Sequence, residues 1–371
     1  MAKHGLAIQQ KELKDKIPFF NSTRQYLKIK KDIDRAINYV IESGCYVNGV
    51  ANKTFEQELA KYCGVSYAVT VANGTAALYL ALLEAGVGEG HNVLVPSHTF
   101  IATIEAITLT GARPVFCDIS PYSYNIRLDE IEKKCNSQTK AIIPVHMYGN
   151  MCDMDAISSF AKGKGIKVIE DACQAIGSEV RGKKAGSVGE FGCFSFYPTK
   201  NLGTYGEGGA IVTNNRLAYD NLIAMRNHNE LQKHFHEFGG FNFRMSEIQA
   251  AILLVKIRHL DDWIVRRRQI ADIYRKSLKD HVTKPEESKN SKHSYHLYVI
   301  RVEKREAFCN HLEKRGVGFG VHYPIPCHTQ YQIQDNLPFT DLVTKQIVSL
   351  PMFPELTDKE AIRVCEVING F

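Results

Sequence analysis

The feature that most constrains the fold is an alternation of short apolar runs and helix-forming segments between residues 67 and 172. The runs "YAVTV", "NVLVP", "KAIIPVHMYG" (140–149) and "KVIED" have the composition of strands, and Ala- and Leu-rich segments of about a dozen residues separate them. Parallel strands need such crossover helices, and nearly continuous apolar strands are buried on both faces. The alternation therefore predicts an α/β fold with a mostly parallel sheet covered on both faces.

The pattern changes after about residue 215. Residues 246–279 predict one long helix or two stacked helices, and the chain beyond them mixes strand, helix and proline-rich patterns. A chain of 371 residues has room for a large domain and a smaller one. We expect a large domain over residues 1–250, including an N-terminal extension, and a small α+β domain over residues 251–371.

Composition narrows the class of protein. The net charge of +6 is modest and spread along the chain, which suits an anionic substrate such as a nucleotide diphosphate but does not predict nucleic-acid binding. No apolar run approaches the ~18 residues of a membrane span, and residues 1–20 lack the apolar core of a signal peptide. The ten cysteines form no CxxC pair, so we expect free thiols in a reducing cytoplasm. The sequence separations between His98, His146, His322 and His328 do not match those of metal ligands, so no metal site is expected.

A strand-to-helix turn is the first candidate for a ligand site. In "VTVANGTAAL" a strand ends at Asn73-Gly74 and a helix begins at about Thr75. The free N–H groups and dipole of a helix start attract an anion, and Gly74 lets a phosphate approach the backbone. The alternative is a plain turn in which Thr75 caps the helix.

An aspartate marks the end of a predicted strand. Asp171, in "KVIEDACQAIG", lies where ligands bind in open α/β sheets. A buried carboxylate there needs a cationic partner, and the protonated ring nitrogen of a pyridine cofactor is one such cation. Gln174 could reach the same ring. The alternative is that Asp171 caps a helix.

The third candidate is a lysine set among hydroxyl and aromatic residues. Lys200 lies in "FSFYPTKNLGTYGEGGAIVTNN", where an apolar surrounding would disfavour its ammonium form and free the amine for Schiff-base chemistry. Ser195 could donate a hydrogen bond to a phosphate. The alternative is a surface lysine in a glycine-rich loop.

The sequence does not predict a P-loop or a nucleophilic cysteine or serine. The run "GSEVRGKK" (177–184) resembles a P-loop, but Lys184 stands where magnesium binding needs Ser or Thr, so we expect a turn between two short strands. Cys193 is expected to be a core thiol rather than a nucleophile, and no GxSxG motif occurs.

The three candidates occur in a fixed order along the chain: a turn suited to a phosphate, an aspartate at the end of a strand, and a lysine. This is the order found in pyridoxal-phosphate enzymes of the aspartate-aminotransferase (type I) fold. The amino-acid sequence resembles that of the DegT/DnrJ/EryC1/StrS family of nucleotide-sugar aminotransferases over nearly the whole chain from about residue 17. The segments that carry the resemblance are "SGCYVNGVANKTFEQELAKYCGVSYAVTVANGTAAL", "VPSHTFIATIEAI", "VIEDACQAIGS", "FGCFSFYPTKNLGTYGEGGAIVTNN" and "GFNFRMSEIQAAI".

The resemblance implies a role for each matched residue. Lys200 would form the Schiff base with pyridoxal 5′-phosphate and then shuttle the proton. Asp171 would pair with the ring nitrogen, and Gln174 would contact the side of the ring that carries the hydroxyl. The other cofactor contacts implied are phosphate binding by Gly74, Thr75 and Ser195, and ring stacking by Phe100.

One further residue implies a homodimer with shared active sites. Asn242, in "GFNFRM", matches the asparagine that reaches the phosphate of the neighbouring subunit's cofactor. Arg244 is a candidate for binding the carboxylate of the amino donor.

The resemblance also implies the reaction. An amino acid, L-glutamate in this interpretation, would give its amine and leave as 2-oxoglutarate, and a keto sugar on a nucleotide diphosphate would then accept the amine. Such a reaction serves deoxyamino-sugar synthesis for lipopolysaccharide or other glycans. Family members that act as dehydratases carry histidine in place of the lysine, so Lys200 argues against that alternative. A non-enzymatic sensor or partner module would not need Lys200.

The carbon that is aminated is indicated by "GVHYPIPCHTQ" (320–330), which is similar to the segment of enzymes that act at C3 of a dTDP-linked keto-deoxyhexose. His322, Tyr323 and His328 would then lie near the sugar or the donor. The alternatives are amination at C4 of a UDP- or dTDP-linked 4-keto sugar, and a purely structural proline-rich loop. One departure from the family is "RNHNE" (226–230), where a glycine more often follows the histidine.

Overall fold

The described part of the chain, residues 16–287 and 290–371 of a computed structural model, contains one large sheet and three small ones. In chain order the strands are β1 (Tyr67–Val71), β2 (Asn92–Pro96), β3 (Arg113–Cys117), β4 (Thr139–Ile142), β5 (Lys167–Asp171), β6 (Glu179–Val180), β7 (Lys183–Lys184), β8 (Phe191–Ser195), β9 (Gly209–Thr213), β10 (Glu230–Gln232), β11 (Phe235–His236), β12 (Ser291–Lys292), β13 (Tyr298–Arg301) and β14 (Ile347–Leu350).

The large sheet has the strand order β1-β9-β8-β5-β4-β2-β3. Strands β8, β5, β4, β2 and β3 pair in parallel, whereas β9 pairs antiparallel with both β1 and β8. Because only β9 is reversed, β1, β5 and β8 all end at the same edge of the sheet. The mostly parallel α/β sheet expected from the sequence is confirmed.

Helices cover both faces of this sheet. In chain order they are α1 (Ser22–Ser43), α2 (Val50–Cys63), α3 (Gly74–Glu84), α4 (Ile101–Leu109), α5 (Leu128–Lys134), α6 (Met154–Lys164), α7 (Arg216–Met225), α8 (Glu247–Ile257), α9 (Leu260–Ser277), α10 (Arg305–Lys314), α11 (Cys327–Gln330), α12 (Pro338–Gln346) and α13 (Asp358–Asn369). Val69 and Ile169 pack in a core with residues of α3 and α4. Their chain neighbours Ala68 and Val168 pack in a second core with α2, α6 and α8, as the alternation of side chains along a strand requires.

One predicted strand is shorter than expected. The run over 140–149 forms β4 only as far as Ile142, and a single 3-10 turn occupies Met147–Gly149. Pro144 has no N–H to donate to a sheet ladder, although its carbonyl still accepts a hydrogen bond of 2.9 Å from the N–H of Asp171. The proline therefore ends regular pairing while the chain stays beside β5.

The C-terminal part of the chain has its own core. β13 pairs antiparallel with β14, and residues of α9, α10 and α13 pack with them in a third cluster. The region 246–279 forms two helices, α8 and α9, which confirms the second of the two predicted alternatives. The mixed helices and strands agree with the α+β character expected there.

The division at residue 250/251 stays a prediction. It falls within α8, which packs against the large sheet. Ile17, which was expected to belong to the large domain, packs in the third cluster and forms a parallel bridge with Val317.

The structure gives the conformation of two turns singled out in the sequence, at residues 177–184 and 226–230. Residues 177–184 form the hairpin β6–β7, with Glu179 opposite Lys184, which confirms the turn between short strands. In "RNHNE", His228 and Asn229 adopt φ values of 59° and 51°. This left-handed conformation favours glycine, and asparagine tolerates it better than most other residues. Asn229 thus replaces the usual glycine without changing the kind of turn.

All ten cysteines are free, and Cys193 is buried. Burial raises the pKa of the Cys193 thiol well above its usual range, as befits a core residue. No group of side chains suited to a metal ion and no helix able to cross a membrane occurs in residues 16–287 and 290–371. Residues 1–15, on which the expected absence of a signal peptide depends, lie outside the described part.

Several histidines are buried in a neutral form. Burial lowers the pKa of His98 to about 3. Burial, with the nearby charge of Arg268, lowers the pKa of His293 to about 3, and its Nδ1 accepts a hydrogen bond of 2.9 Å from the N–H of Tyr295. Below pH 6.5 the unfolded chain therefore binds protons that the folded chain does not, so stability is lost as the pH falls toward these values.

The variant His293→Asn tests this account of acid sensitivity, because asparagine keeps an acceptor for the Tyr295 N–H but does not titrate. Between about pH 6.5 and 5 the free energy of unfolding of the wild type should fall as the pH is lowered, and the variant should reduce that slope by about 1 kcal/mol per pH unit. Urea unfolding at a series of pH values measures the slope. An identical slope in variant and wild type would contradict the assignment.

Candidate active site

A cavity of about 620 Å³ opens at the edge of the sheet where β1, β5 and β8 end. Nine of the residues singled out in the sequence line it, and they are Gly74, Thr75, Phe100, Asp171, Gln174, Ser195, Lys200, His322 and Tyr323. They come from segments spread over some 250 residues of chain. The topology brings them together because parallel strands place their carboxyl ends at one edge.

The strand-to-helix turn is built around two glycines. A Cβ on Gly74 would lie 2.9 Å from the Cβ of Ser195, and a Cβ on Gly209 would lie 2.4 Å from the carbonyl carbon of Asn73. Only glycine at both positions lets the ends of β1, β8 and β9 approach this closely. The result is a small cradle at the N-terminus of α3, with the Ser195 hydroxyl at its edge.

The cap of α3 is Asn73, and the alternative in which Thr75 caps the helix is wrong. The side-chain oxygen of Asn73 accepts a hydrogen bond of 2.8 Å from the N–H of Ala76. Asparagine one residue before the helix reaches this donor with ordinary capping geometry. Thr75 lies instead in the first turn and lines the cavity, where its hydroxyl and the remaining N–H groups face an incoming anion.

Asp171 is a buried carboxylate with only neutral hydrogen-bond donors. Its side chain is 5% exposed. Oδ2 accepts from the Thr103 hydroxyl at 2.8 Å, and Oδ1 accepts from the N–H of Cys173 at 3.2 Å. The Thr99 hydroxyl lies 2.8 Å from that of Thr103 and extends the chain of hydrogen bonds. No lysine, arginine or histidine of the described residues forms an ion pair with Asp171, so the carboxylate lacks the cation that a buried charge requires.

Lys200 is half-buried in the same cavity and is not a solvated surface lysine. Its backbone N–H donates to the carbonyl of Tyr197 at 2.8 Å, which folds the loop after β8 back on itself. Burial lowers the pKa of the Lys200 ammonium, while Cys173 and Asp171 oppose the shift. A larger fraction of neutral amine is therefore available than on a surface lysine.

Aromatic rings form the wall opposite the sheet. Phe100 is 51% exposed, and its ring centroid lies 5.4 Å from that of Tyr323. The His322 ring stacks on Phe19 at 5.6 Å, and its Nδ1 lies 2.9 Å from the Ser349 hydroxyl. Burial and the charge of Lys200 lower the pKa of His322 to about 4, so this ring is neutral at ordinary pH.

Gln174 links the sheet edge to this aromatic wall. Its Oε1 accepts from the N–H of Tyr148 at 2.9 Å, and its Nε2 donates to the Tyr323 hydroxyl at 3.5 Å. The Tyr148 hydroxyl in turn donates to the carbonyl of His322 and lies 2.7 Å from Nε2 of His98. These contacts hold the His322–Tyr323 segment over the cavity.

The structure does not bring His328 to the cavity, which corrects its expected position near the substrate. His328 lies at the start of the short helix α11 and is 5% exposed. Its Nδ1 lies 2.7 Å from the Ser97 hydroxyl, which also accepts the backbone N–H of His328 at 3.1 Å. These contacts fasten α11 to the residue that follows the end of β2.

Asn242 and Arg244 also lie outside this chain's cavity. Arg244 donates to the Asn242 side-chain oxygen at 2.7 Å and to Asn227 at 2.9 Å, and Asn242 is exposed. The expected roles of Asn242 at the neighbouring subunit's cofactor and of Arg244 at the donor's carboxylate stay predictions.

Other cavity residues were missed in the sequence. Thr103 lies in the quoted segment "VPSHTFIATIEAI", but a threonine within a helix carries no distinctive pattern. Glu207, which lies in the quoted segment around Lys200 but was assigned no role, also lines the cavity, as does His296. The His296 Nδ1 is buried without a hydrogen-bond partner, and burial holds its pKa well below the usual range. The fold, not a local motif, places each of these side chains in the cavity.

Comparison with known families gives one match. The profile that describes the DegT/DnrJ/EryC1/StrS aminotransferase family matches residues 27–369. That range includes all of the cavity residues except Phe19 and Phe20.

Curated relatives match over nearly their full length. The chain is 41% identical to the dTDP-3-amino-3,6-dideoxy-alpha-D-galactopyranose transaminase of Aneurinibacillus thermoaerophilus, over 96% of this chain and 99% of that protein. It is 37% identical to the dTDP-3-amino-3,4,6-trideoxy-alpha-D-glucose transaminase of Streptomyces venezuelae, over 95% of this chain and 96% of that protein.

Solved structures share the fold. The crystal structure of S. venezuelae DesV in complex with a ketimine intermediate superposes with a TM-score of 0.94 at 36% identity, covering 96% of this chain and 98% of that one. NtdA from Bacillus subtilis with bound cofactor PMP superposes with a TM-score of 0.89 at 32% identity, covering 95% of this chain and 84% of that one.

The variant Gly209→Ala tests the glycine cradle. The added methyl group would lie 2.4 Å from the Asn73 backbone, so the turn must shift and lose its anion-binding geometry. We expect the Kd for pyridoxal phosphate to rise at least about 10-fold, which corresponds to about 1.4 kcal/mol, with the circular-dichroism spectrum unchanged.

Gly163→Ala is the matched control, because a Cβ there meets nothing within 4 Å and the residue lies in the helix α6. It should leave the Kd unchanged and stabilise the protein slightly. Equal cofactor affinities for both alanine variants would contradict the assignment of the cradle.

Proposed function

This chain belongs to the DegT/DnrJ/EryC1/StrS aminotransferase family, and from that premise we propose that it transfers an amino group from L-glutamate to C3 of a nucleotide-linked keto sugar. The observation that carries the chemistry is the pairing, across one cavity, of a lysine whose ammonium is disfavoured with a buried carboxylate that lacks a cation. The position of amination is supported by the names of the 3-amino-sugar transaminases to which the chain is similar. A dTDP-3-keto-6-deoxyhexose is the acceptor that these names favour.

The cofactor of the enzyme is pyridoxal 5′-phosphate, and the cavity residues fit it. The cradle formed by Gly74, Thr75 and Ser195 would hold the phosphate, since it combines a helix N-terminus with two hydroxyls. The buried Asp171 would receive the cation that it lacks, the protonated ring nitrogen. When bound, the cofactor supplies an electron sink for the carbon that loses its proton.

The protein's own groups would do the remaining work. Asp171, held by Thr103 and the Cys173 N–H, would keep the proton on the ring nitrogen. The Lys200 amine would act as a general base and take the proton from the donor's α-carbon. It would then act as a general acid and return the proton to the cofactor carbon on the other side of the amine nitrogen. Phe100 and Tyr323 would cover the ring and exclude water.

A homodimer with shared active sites completes this proposal. Among the described residues that line the cavity, Lys200 is the only lysine or arginine. Glutamate and a nucleotide diphosphate carry several negative charges, which need further cations. Arg244 and Asn242, which lie away from this chain's own cavity, would serve the cavity of a second copy.

We also propose a cytoplasmic location and a role in deoxyamino-sugar synthesis for lipopolysaccharide or another glycan. Free thiols at all ten cysteines support a reducing compartment. Amination at C4 of a UDP- or dTDP-linked 4-keto sugar is the alternative acceptor chemistry. Dehydration is disfavoured, because Lys200 occupies the position that carries histidine in the family's dehydratases.

Lys200→Ala should lower kcat by at least about 10³-fold, since it removes the group that moves the proton, and should abolish the visible absorption of covalently bound cofactor. The exposed Lys162→Ala is the matched control and should leave both unchanged. Spectra and steady-state kinetics with glutamate as donor measure the two effects. A Lys200→Ala enzyme with the colour and turnover of the wild type would contradict the assignment.

A substrate panel tests the acceptor. Nucleotide-linked 3-keto and 4-keto deoxysugars are incubated with glutamate, and the aminated carbon is identified by NMR of the product. We expect the new C–N bond at C3 of a dTDP-linked sugar, with 2-oxoglutarate formed in equal amount. Amination confined to C4 would overturn the proposed position while leaving the transaminase chemistry intact.

A further inference from the structure

We propose that Lys256, which is remote from the reacting atoms, is a positioning residue that fixes the loop carrying Lys200. The proposal rests on the role of Lys200 proposed above. Lys256 lies near the end of α8. It contacts the segment of residues 197–205, which is part of the connection from β8 to β9 and is called the lysine loop below.

Lys256 is a buried ammonium bound to one backbone carbonyl of the lysine loop. The residue is 1% exposed, and its Nζ donates to the carbonyl of Gly203 at 2.6 Å. The same Nζ lies 4.1 Å from the ring centroid of Tyr205, a distance that gives a cation–π contact. Both partners belong to the lysine loop, so one side chain holds it at two points.

Packing alone does not explain this lysine. No carboxylate of the described residues lies within ion-pair distance of Nζ, and burial lowers the pKa of Lys256 to about 8 although the charge of Glu355 opposes the shift. A buried ammonium without an adjacent anion costs several kcal/mol, and an apolar side chain of similar length would avoid that cost. The contact with Gly203 is therefore the feature that sets this position apart from an ordinary core residue.

The lysine loop is folded so that Gly203 packs against the backbone that holds Lys200. A Cβ on Gly203 would lie 2.5 Å from the carbonyl oxygen of Pro198 and 2.7 Å from that of Tyr197. The Tyr197 carbonyl is the acceptor for the Lys200 N–H at 2.8 Å. A displacement of the Gly203 carbonyl is thus transmitted through Tyr197 to the backbone of Lys200.

A second residue of α8 holds the other side of the lysine loop. The Thr204 hydroxyl donates to the side-chain oxygen of Gln249 at 2.5 Å. Gln249 and Lys256 lie about two turns apart on one face of the helix. The start of α8 is anchored in turn by Glu247, whose carboxylate accepts N–H groups at the start of α2 at 2.8–3.1 Å. The lysine loop is therefore clamped to a buried helix that is itself fixed.

Two substitutions at residue 256 test the proposal in the full-length enzyme loaded with pyridoxal phosphate. Lys256→Met keeps the length of the apolar stem but removes the donor. It should lower kcat by about 10- to 100-fold with KM for donor and acceptor within about 3-fold of the wild type, since Lys200 is misplaced but the binding surfaces are not. Lys256→Arg keeps a charged donor and should recover most of the lost kcat.

Amide hydrogen exchange of the same proteins without substrate gives a readout that does not depend on turnover. In Lys256→Met the amides of the lysine loop, such as those of Lys200 and Thr204, should exchange at least about 10-fold faster while those of β8 and β9 keep wild-type rates. Lys256→Met with wild-type kcat and wild-type exchange would overturn the proposal. Faster exchange spread evenly over α8 and the sheet would also overturn it, because that result marks general destabilisation.

A third variant covers the case in which Lys256→Met does not fold. Tyr205→Leu removes the aromatic face beneath the ammonium but leaves the Gly203 contact. It should speed exchange in the lysine loop by a smaller factor than Lys256→Met, about 2- to 5-fold. Unchanged exchange in this variant would count against the proposal. If the wild type shows no transaminase activity, the proposed function fails, and the exchange results still decide whether Lys256 fixes the loop.

Discussion

The site depends on a carboxylate that is buried at the end of a central strand and forms no ion pair with a lysine, arginine or histidine of the described residues. Asp171 accepts hydrogen bonds from a threonine hydroxyl and a backbone N–H, which fix its orientation but carry no positive charge. Such a group is costly to maintain unless a cationic ligand arrives. The remaining features of the cavity, the anion cradle, the lysine with a lowered pKa and the aromatic wall, are arranged around the position that this ligand would occupy.

The sheet topology makes this arrangement possible. β9 is the only reversed strand of the large sheet, and it runs back from the lysine loop between β8 and the edge strand β1. Gly209, at the start of β9, therefore abuts the Asn73–Gly74 turn, and the turn and the lysine loop share one wall. The helix α8 lies beneath the lysine loop and holds it through Gln249 and Lys256. Fold and site are thus coupled through a few close backbone contacts.

Much of the fold and the centre of the site were predictable from local patterns. The strands that end at Val71, Pro96 and Asp171 are short β-branched runs, and their alternation with helices sets a parallel sheet. Lys200 and Asp171 were recognisable because their residue types are unusual in those settings. In contrast, β4 ended early because Pro144 interrupts the ladder, and Thr75 was considered as a cap although Asn73 takes that position.

The features that were not predicted depend on contacts between distant segments. Thr103 supports Asp171 across 68 residues of sequence. His328 was expected near the substrate, but it is hydrogen-bonded to Ser97 and is not among the described residues that line the cavity. Lys256 lies in the mostly apolar helix α8, and its hydrogen bond to the Gly203 carbonyl joins two segments that are distant in sequence.

A crystal structure of the enzyme with pyridoxal phosphate bound tests the central claim most directly. The account predicts that the ring nitrogen lies about 2.7–2.9 Å from the Asp171 carboxylate, as in a charge-assisted hydrogen bond, with Lys200 joined to the cofactor and the phosphate at the N-terminus of α3. A cofactor bound with its ring nitrogen away from Asp171, or a different cation paired with that carboxylate, would contradict it.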